Sequence, residues 1–517
     1  MFIAASLLAL YFATQLSIWG GPGDLQVVSV TPAPRSVNAA LNSSIVISFD
    51  RPVAPGTIVG GQSLWAFGRW SGAAAGTVTL SDGNQTATLT PDALFSAGEV
   101  VTVYLSHDIQ AQDGGFLRPA GYSFQFWTRT APAALEFVEV ERHDTFTPPE
   151  TTSRAYGGIG SDLDGDGWLD LTIVNEDSAD LRVFLNLASG QGTFAEYIQP
   201  TFPVGERASP SEPADFDRDG AVDICVANIN DDSVSVLLGN GDGTFNPQQL
   251  ITVGAAPRGI AVLDADGDGD VDIVNTNYSS STLSLLTNNG SGVFGAPAFF
   301  EGGGTGERAL TAADMDEDGV LDLVISAFNS QTVIVRTGNG DGTFSLAETQ
   351  SAGGTGWMLV CGDVNGDGHD DVAMINSTPG NGAILLGDGT GQLAPPQIHP
   401  TDPFPLATDL GDLDGDGDLD WVTSSYSGDW FLLANNGSGS FAFQQEFAST
   451  QAASCALLMD IDNDRDLDLA LVDEEQDEVI LMKNSGSAVP AAGPSALAAL
   501  LILLAAAGSS LIRRRRR

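Results

Sequence analysis

The chain has 517 residues, 67 acidic against 20 basic, for a formal net charge of -47. So negative a chain cannot neutralise phosphates, which excludes nucleic acid as a partner. Hydrophobic residues at 43% exclude wholesale disorder, because such a chain can bury real cores. The length points to two or more domains. Three cysteines (Cys225, Cys361, Cys455), each in or beside an apolar run, read as buried thiols and not as a disulfide framework. At the start, residues 1–19 (MFIAASLLALYFATQLSIW) are mostly apolar. They fit the core of a signal peptide ending near residue 23 but lack its basic flank, and a short N-terminal membrane anchor is the other reading.

Residues 24–131 carry no repeat. Short alternating strands stand at LQVVSV, SSIVISFD, GTVTL, TATLTP, EVVTVYLS and YSFQFWT, a spacing that predicts a β-sandwich. The opening VTPAP, the NSSIVISFDRPV run (Asn42–Val53), LTPDALFSAGEVVTVYL (Leu89–Leu105) and the closing FQFWT (Phe124–Thr128) resemble the SbsA-type bacterial Ig-like domain. Cysteine is absent here, so no disulfide pins it. The expected role is that of a spacer or presenting module, with residues 131–134 as the junction to the second domain.

Residues 132–487 are organised by a nonapeptide that recurs seven times. It reads DLDGDGWLD (Asp162–Asp170), DFDRDGAVD (Asp215–Asp223), DADGDGDVD (Asp264–Asp272), DMDEDGVLD (Asp314–Asp322), DVNGDGHDD (Asp363–Asp371), DLDGDGDLD (Asp412–Asp420) and DIDNDRDLD (Asp460–Asp468). The starts lie 53, 49, 50, 49, 49 and 48 residues apart. In the third repeat, RGIAVLD (Arg258–Asp264) enters the acidic loop and VDIVNTN (Val271–Asn277) leaves it. TLSLLTN (Thr282–Asn288) comes after a polar turn, and a fourth strand lies around Pro297–Glu301. Four short strands joined by Gly and Asn turns make an antiparallel sheet, and sheets at this period predict the blades of a β-propeller. The last repeat stops after EVILMKN (Glu478–Asn484) without a fourth strand, whereas LEFVEVER (Leu135–Arg142) precedes the first repeat unassigned. This strand is expected to complete blade seven and close the ring, removing an exposed edge.

The nonapeptide places oxygen donors at positions 1, 3 and 5, glycine at 6 and a carboxylate at 9. So many carboxylates repel one another unless a hard cation joins them, and Ca²⁺ takes six to eight oxygens in such a loop. The side chains at 1, 3, 5 and 9 with the carbonyl of residue 7 form the expected ligand set, and glycine at 6 permits a positive-φ turn. Loop one offers Asp162, Asp164, Asp166, Trp168 and Asp170; loop two Asp215, Asp217, Asp219, Ala221 and Asp223. Loop three offers Asp264, Asp266, Asp268, Asp270 and Asp272; loop four Asp314, Asp316, Asp318, Val320 and Asp322. Loop five offers Asp363, Asn365, Asp367, His369 and Asp371; loop six Asp412, Asp414, Asp416, Asp418 and Asp420. Loop seven offers Asp460, Asp462, Asp464, Asp466 and Asp468, but Arg465 replaces its glycine. Up to seven calcium ions are expected, the seventh on the weakest pattern. The loops hold 31 aspartates, nearly half of the chain's 67 acids, so the net charge belongs largely to them. A strand comes next in place of a helix and position 12 is apolar (Ile173 in loop one), which excludes an EF-hand.

These loops, with LGNGDGTF (Leu238–Phe245), TGNGDGTF (Thr337–Phe344) and the run Phe294, Gly295, Ala296, Pro297, resemble FG-GAP/VCBS repeats. Such repeats build the integrin α-subunit propeller and many bacterial surface proteins. The resemblance implies a seven-bladed propeller with calcium in its blade loops. The fold class expected for the whole is therefore all-β, an Ig-like β-sandwich followed by a seven-bladed β-propeller, with a C-terminal transmembrane sorting helix. That helix is read from residues 488–517, where Ser495–Ile512 is apolar or small and five arginines follow (Arg513–Arg517). The Val489-Pro490 motif with Gly493-Pro494, the span and the Arg cluster resemble the PEP-CTERM group of Gram-negative sorting tails, without the literal Pro-Glu-Pro. A plain tail anchor is the other reading.

Four histidines (His107, His143, His369, His399) show no zinc-ligand or nucleophile spacing, and the loop motif accounts for the aspartate pairs. The chain is thus read as a secreted or cell-surface calcium-binding protein of a Gram-negative envelope that binds or scaffolds and does not catalyse. Its expected partners are an extracellular glycan or protein ligand and, through the tail until it is processed, the membrane. A polysaccharide-acting lyase or hydrolase using the propeller face is the alternative.

Overall fold

A computed structural model describes residues 23–484 apart from 147–148, 151 and 449–451. The expected leader (residues 1–19) and sorting helix (from residue 488) lie outside the described residues, among which no helix is long and apolar enough to cross a membrane.

The N-terminal domain is a sandwich of two four-stranded sheets. The first orders Val27–Thr31, Ile45–Phe49, Thr86–Pro91 and Gly76–Ser81; the second orders Gly72–Ala73, Leu64–Gly68, Val100–Leu105 and Tyr122–Trp127. All six expected strands form. Leu64–Gly68 and Gly72–Ala73 were not legible in the sequence, because Leu64–Gly68 (LWAFG) is buried at every position and shows no alternation. Leu64 and Ala66 fill the sandwich core, while Trp65 and Phe67 pack with Phe216 and Ile260 of the second domain. A strand apolar on both faces is buried on both faces.

The rest of the chain forms seven four-stranded antiparallel sheets, six of them built in sequence order from an inner strand outwards and the seventh completed by a strand from before the first. The inner strands are Ala155–Ser161, Ala208–Ala214, Pro257–Leu263, Glu307–Ala313, Thr355–Gly362, Pro405–Gly411 and Ala453–Met459. Each packs on the next, and Ala453–Met459 packs back on Ala155–Ser161, so the sheets form a closed ring of seven blades. In the third blade the remaining strands are Asp272–Asn277, Thr282–Leu286 and Ala298–Glu301, within two residues of expectation. Phe137–Asp144 closes blade seven by pairing antiparallel with Glu478–Asn484, with Phe137 opposite Asn484 and Asp144 opposite Glu478.

The cores lie between blades. Ile173 packs with blade seven and its neighbour Val174 with blade two, because successive side chains of a strand point to opposite faces. Each fully buried aliphatic side chain stabilises by about 1.5–3 kcal/mol.

The sandwich does not stand apart as a spacer. It sits on the end of the ring where the acidic loops lie. Trp65 Nε1 donates to the Gly269 carbonyl (2.9 Å), and the His107 and Ser123 amides donate to Gly267 and Gly319 (2.8 Å each). The junction amides of Ala131 and Ala133 donate to Arg465 (2.6 Å) and Asp414 (2.9 Å). Gly267, at φ +78, permits this approach: a Cβ there would lie 2.6 Å from the Ala120 carbonyl carbon. Buried Glu99 shapes the turn at Arg69–Ser71 by accepting the amides of Trp70 (2.8 Å) and Ser71 (2.9 Å), although burial pushes its carboxyl up to about 7. The turn aims Arg69 into the central channel, where it meets Glu212 at 3.2 Å.

Candidate metal centres

Each loop runs from the end of an inner strand to the start of the next strand, and its conformation is set by its own carboxylates. In all seven, the first aspartate accepts the amide of residue 6 at 2.8–3.2 Å. Residue 6 takes positive φ throughout: Gly167 84, Gly220 94, Gly269 89, Gly319 79, Gly368 91 and Gly417 96. Arg465 is held at φ 79, a conformation that disfavours a side chain. The amide of residue 7 donates to the carboxylate of residue 5, as Trp168 does to Asp166 (2.9 Å), Ala221 to Asp219 (2.8 Å), Val320 to Asp318 (2.8 Å) and His369 to Asp367 (3.0 Å).

The ninth residue has a second role that the spacing did not reveal. One of its oxygens accepts the amide of residue 2 at 2.7–3.1 Å. The other accepts an amide at the end of the blade's third strand at 2.6–2.9 Å. Asp170, Asp223, Asp272, Asp322, Asp371, Asp420 and Asp468 are therefore staples of the blade as well as candidate ligands. The carbonyl of residue 2 reaches the next blade: Leu163 accepts from Gly243 (3.0 Å), Phe216 from Gly292 (3.0 Å), Ala265 from Gly342 (2.9 Å) and Met315 from Gly391 (2.9 Å). The acidic loops thus join neighbouring sheets, and the GNGDG segments are outer hairpin turns that dock on them.

Carboxylate oxygens converge to within 4.8 Å of one another at Asp215, Asp217 and Asp223, at Asp264, Asp266 and Asp272, at Asp314, Asp316 and Asp322, and at Asp412, Asp414 and Asp420. Loop one brings together Asp162, Asp164 and Asp166 at the same limit. In loop five Asn365 supplies an amide oxygen, which accepts the Asp367 amide at 2.8 Å.

Buried oxygens of Asp266, Asp314, Asp412, Asp418, Asp462 and Asp466 have no hydrogen-bond partner. Burial, followed by the neighbouring aspartates, pushes Asp215 up to about 7; burial likewise raises Asp223 and Asp420 to about 8 and Asp170 to about 7. Orphaned carboxylate oxygens at this density fit a hard divalent cation with oxygen ligands.

Several of the expected ligand residues also meet charged side chains. Asp270 pairs with Arg218 at 2.5 Å. The His369 ring meets Glu317 at 2.5 Å. In loop seven the Lys483 ammonium enters the carboxylates, in contact with Asp462 and 3.2 Å from Asp464. Leu185, Leu238 and Leu386 precede the corresponding strand-end amide in blades one, two and five, so a cation at this register was the available signal. Arg35 of the sandwich reaches between loops four and five, 3.3 Å from Asp314 and 2.9 Å from Asp370. No repeat announces it.

The FG-GAP-like repeat pattern matches residues 162–226, 215–275, 264–325, 322–374, 363–423 and 412–471, and the bacterial Ig-like domain pattern matches residues 23–128. No curated protein matches the chain. Among solved structures it is similar to a putative 6-phosphogluconolactonase from Bacteroides uniformis, at 15% identity over 76% of this chain and 99% of that chain, TM-score 0.45. It is similar to a virginiamycin B lyase from Staphylococcus aureus (13% identity, 67% and 99% covered, TM-score 0.45). A periplasmic gluconolactonase from Pseudomonas aeruginosa is alike to the same degree (16% identity, 75% and 98% covered, TM-score 0.44). With seven loops of one design in a closed ring, the chain belongs to the FG-GAP-like repeat family and carries a bacterial Ig-like domain at its N-terminal end.

Proposed function

We propose that this is a calcium-stiffened, non-catalytic binding or scaffold protein of a bacterial envelope, with metal in loops one to six. The observation that carries the reading is the recurrence, blade after blade, of converging carboxylates. The side chains at positions 1, 3, 5 and 9 would hold the ion. Calcium would supply the positive charge that lets buried aspartates stay ionised together. Because the same loops join neighbouring blades, metal would stabilise the ring by binding the folded chain and not the open one. The seventh loop has a resident ammonium on Asp462 and Asp464, which would stand in for the ion there. The sorting-type tail favours a place at the outer surface of a Gram-negative cell, facing an extracellular glycan or protein and anchored to the membrane until the tail is cut.

The test is thermal melting of the full chain in calcium and in chelator. Six sites at one hundred times their dissociation constant would each add about 2.7 kcal/mol, so chelation should lower the midpoint on the order of 10–20 °C. A melting curve indifferent to chelator sinks the metal reading. Turnover of a polysaccharide by the purified chain would sink the non-catalytic one.

A further inference from the structure

Six residues before the first aspartate of each nonapeptide, every inner strand presents one side chain to the central channel, near the end away from the sandwich. Blades two, six and seven place the small or aliphatic Ser209, Leu406 and Ser454 there. Blades one, three, four and five place Tyr156, Arg258, Arg308 and Trp357. The frame around this position repeats, so the departures at it are not demanded by the fold.

Two adjacent blades contribute arginine. Arg308 is 8% exposed, its guanidinium carbon 3.2 Å from the centroid of the Trp357 ring. The guanidinium of Arg258 lies 5.2 Å from the Tyr278 ring, and its Nε is buried without a hydrogen-bond partner. Tyr278, Phe328 and Trp357 continue as an aromatic rim, with centroids 6.2 and 5.9 Å apart. The neighbouring carboxylates are already taken. Glu176 is held by Arg154 and Arg207 at 3.4 Å each, and Glu474 by Arg154 at 2.5 Å. Among the described residues, no carboxylate lies within ion-pair distance of Arg258 or Arg308. Burial and then the Arg258 charge push Arg308 down to about 10, and burial lowers Arg258 as well. A chain this short of basic residues places a buried guanidinium, Arg308, and a partly buried one, Arg258, side by side without a carboxylate partner, which is costly until an anion arrives.

We infer that this mouth binds an acidic sugar at the end of a glycan, its carboxylate taken by Arg258 and Arg308 and its ring lying on the aromatic rim. The guanidinium fork matches a carboxylate in two parallel hydrogen bonds. The net charge of -47 repels dense polyanions, which favours an isolated carboxylate on an otherwise neutral ligand. Few polar groups placed among aromatic walls are the usual make-up of a small-ligand site. The inference deepens the binding role proposed above by naming the ligand class, and it does not depend on metal.

The test is calorimetric titration of the full chain, in calcium and in chelator, with three probes: an oligosaccharide ending in glucuronic acid, the same oligosaccharide ending in glucose, and a short glutamate-containing peptide. Saturable binding of the glucuronate probe alone is expected, weakened about tenfold or more by Arg258→Gln and by Arg308→Gln. Arg258 is only partly buried, so its variant carries the test if Arg308→Gln does not fold. Equal binding of the two sugars, tighter binding of the peptide, no binding at all, or unchanged affinity in Arg258→Gln overturns the inference. Loss of glucuronate binding with melting still calcium-dependent sinks this site alone; glucuronate binding with melting indifferent to chelator sinks only the metal reading.

Discussion

The third and seventh acidic loops follow one template and meet their negative charge differently. In the third, Asp264, Asp266 and Asp272 converge, and among the described residues no basic side chain pairs with any of the three. In the seventh, Lys483 reaches in from the last strand to Asp462 and Asp464. The backbone scaffold is the same in both, since Asp264 and Asp460 accept the residue 6 amide at 2.9 Å in each case. Under the proposed calcium reading, the difference is one of source: an ion in the third loop and a lysine in the seventh. The blade that closes the ring is the one that carries its own.

The sharpest way to break this comparison is Lys483→Met. Removing the ammonium leaves the fully buried Asp462 side chain unpaired, which should cost about 3–5 kcal/mol in chelator. Calcium should restore much of that loss, and the bound stoichiometry should rise by one. A variant as stable as the parent in chelator, or one that gains no ion, would show that the lysine does not stand in for metal.

Next in size is a matched pair, Asp266→Asn and Asp462→Asn. The first should remove one calcium from the stoichiometry and about 2.7 kcal/mol of calcium-dependent stability at one hundred times the dissociation constant. The second should leave the ion count unchanged. Equal ion counts in the two variants would erase the distinction between the loops.

Titration gives a smaller and graded effect. The carboxyls of Asp223 and Asp420 are raised by burial to about 8 in the metal-free fold. A raised carboxyl means the folded state holds protons that the unfolded chain releases. The stability it contributes to the metal-free ring is fully present below about pH 4, and is lost as pH rises through about 8. Calcium must displace those protons, so its affinity should climb from pH 6 to pH 8, about tenfold per unit for each proton released. Calorimetry in buffers of different ionisation enthalpy would count them, and a count of zero contradicts the raised carboxyls. Smallest is Arg218→Gln. Its pair with Asp270 at 2.5 Å is partly exposed, and its loss should cost about 1 kcal/mol by thermal melting without changing the ion count.

Much of this was legible because repetition announces itself. The period of 48 to 53 residues located every loop, and the orphan strand at Leu135–Arg142 told how the ring would close. What repeats could not show is how one chain region meets another far away. Arg35 touches Asp370, 335 residues on, and nothing local to either residue marks the contact. Leu64–Gly68 hid for a related reason: its second buried face exists only once the sandwich has docked. Lys483, Arg258 and Arg308 stand at fixed places in the repeat, and they are informative only as exceptions to a frame already known.

The closing strand has a mechanical consequence. The sandwich leads directly into Phe137, and Phe137 lies opposite Asn484, the far end of the ring's last strand. Tension between the N-terminal module and the chain beyond Asn484 would therefore enter this pair at one end. Bonds loaded in that geometry break singly, rung after rung, instead of sharing the strain, so the seam is a zip fastener with its slider at the Phe137–Asn484 end. The sandwich's hydrogen bonds to Gly267, Gly269 and Gly319 are then what keeps a pull from reaching it.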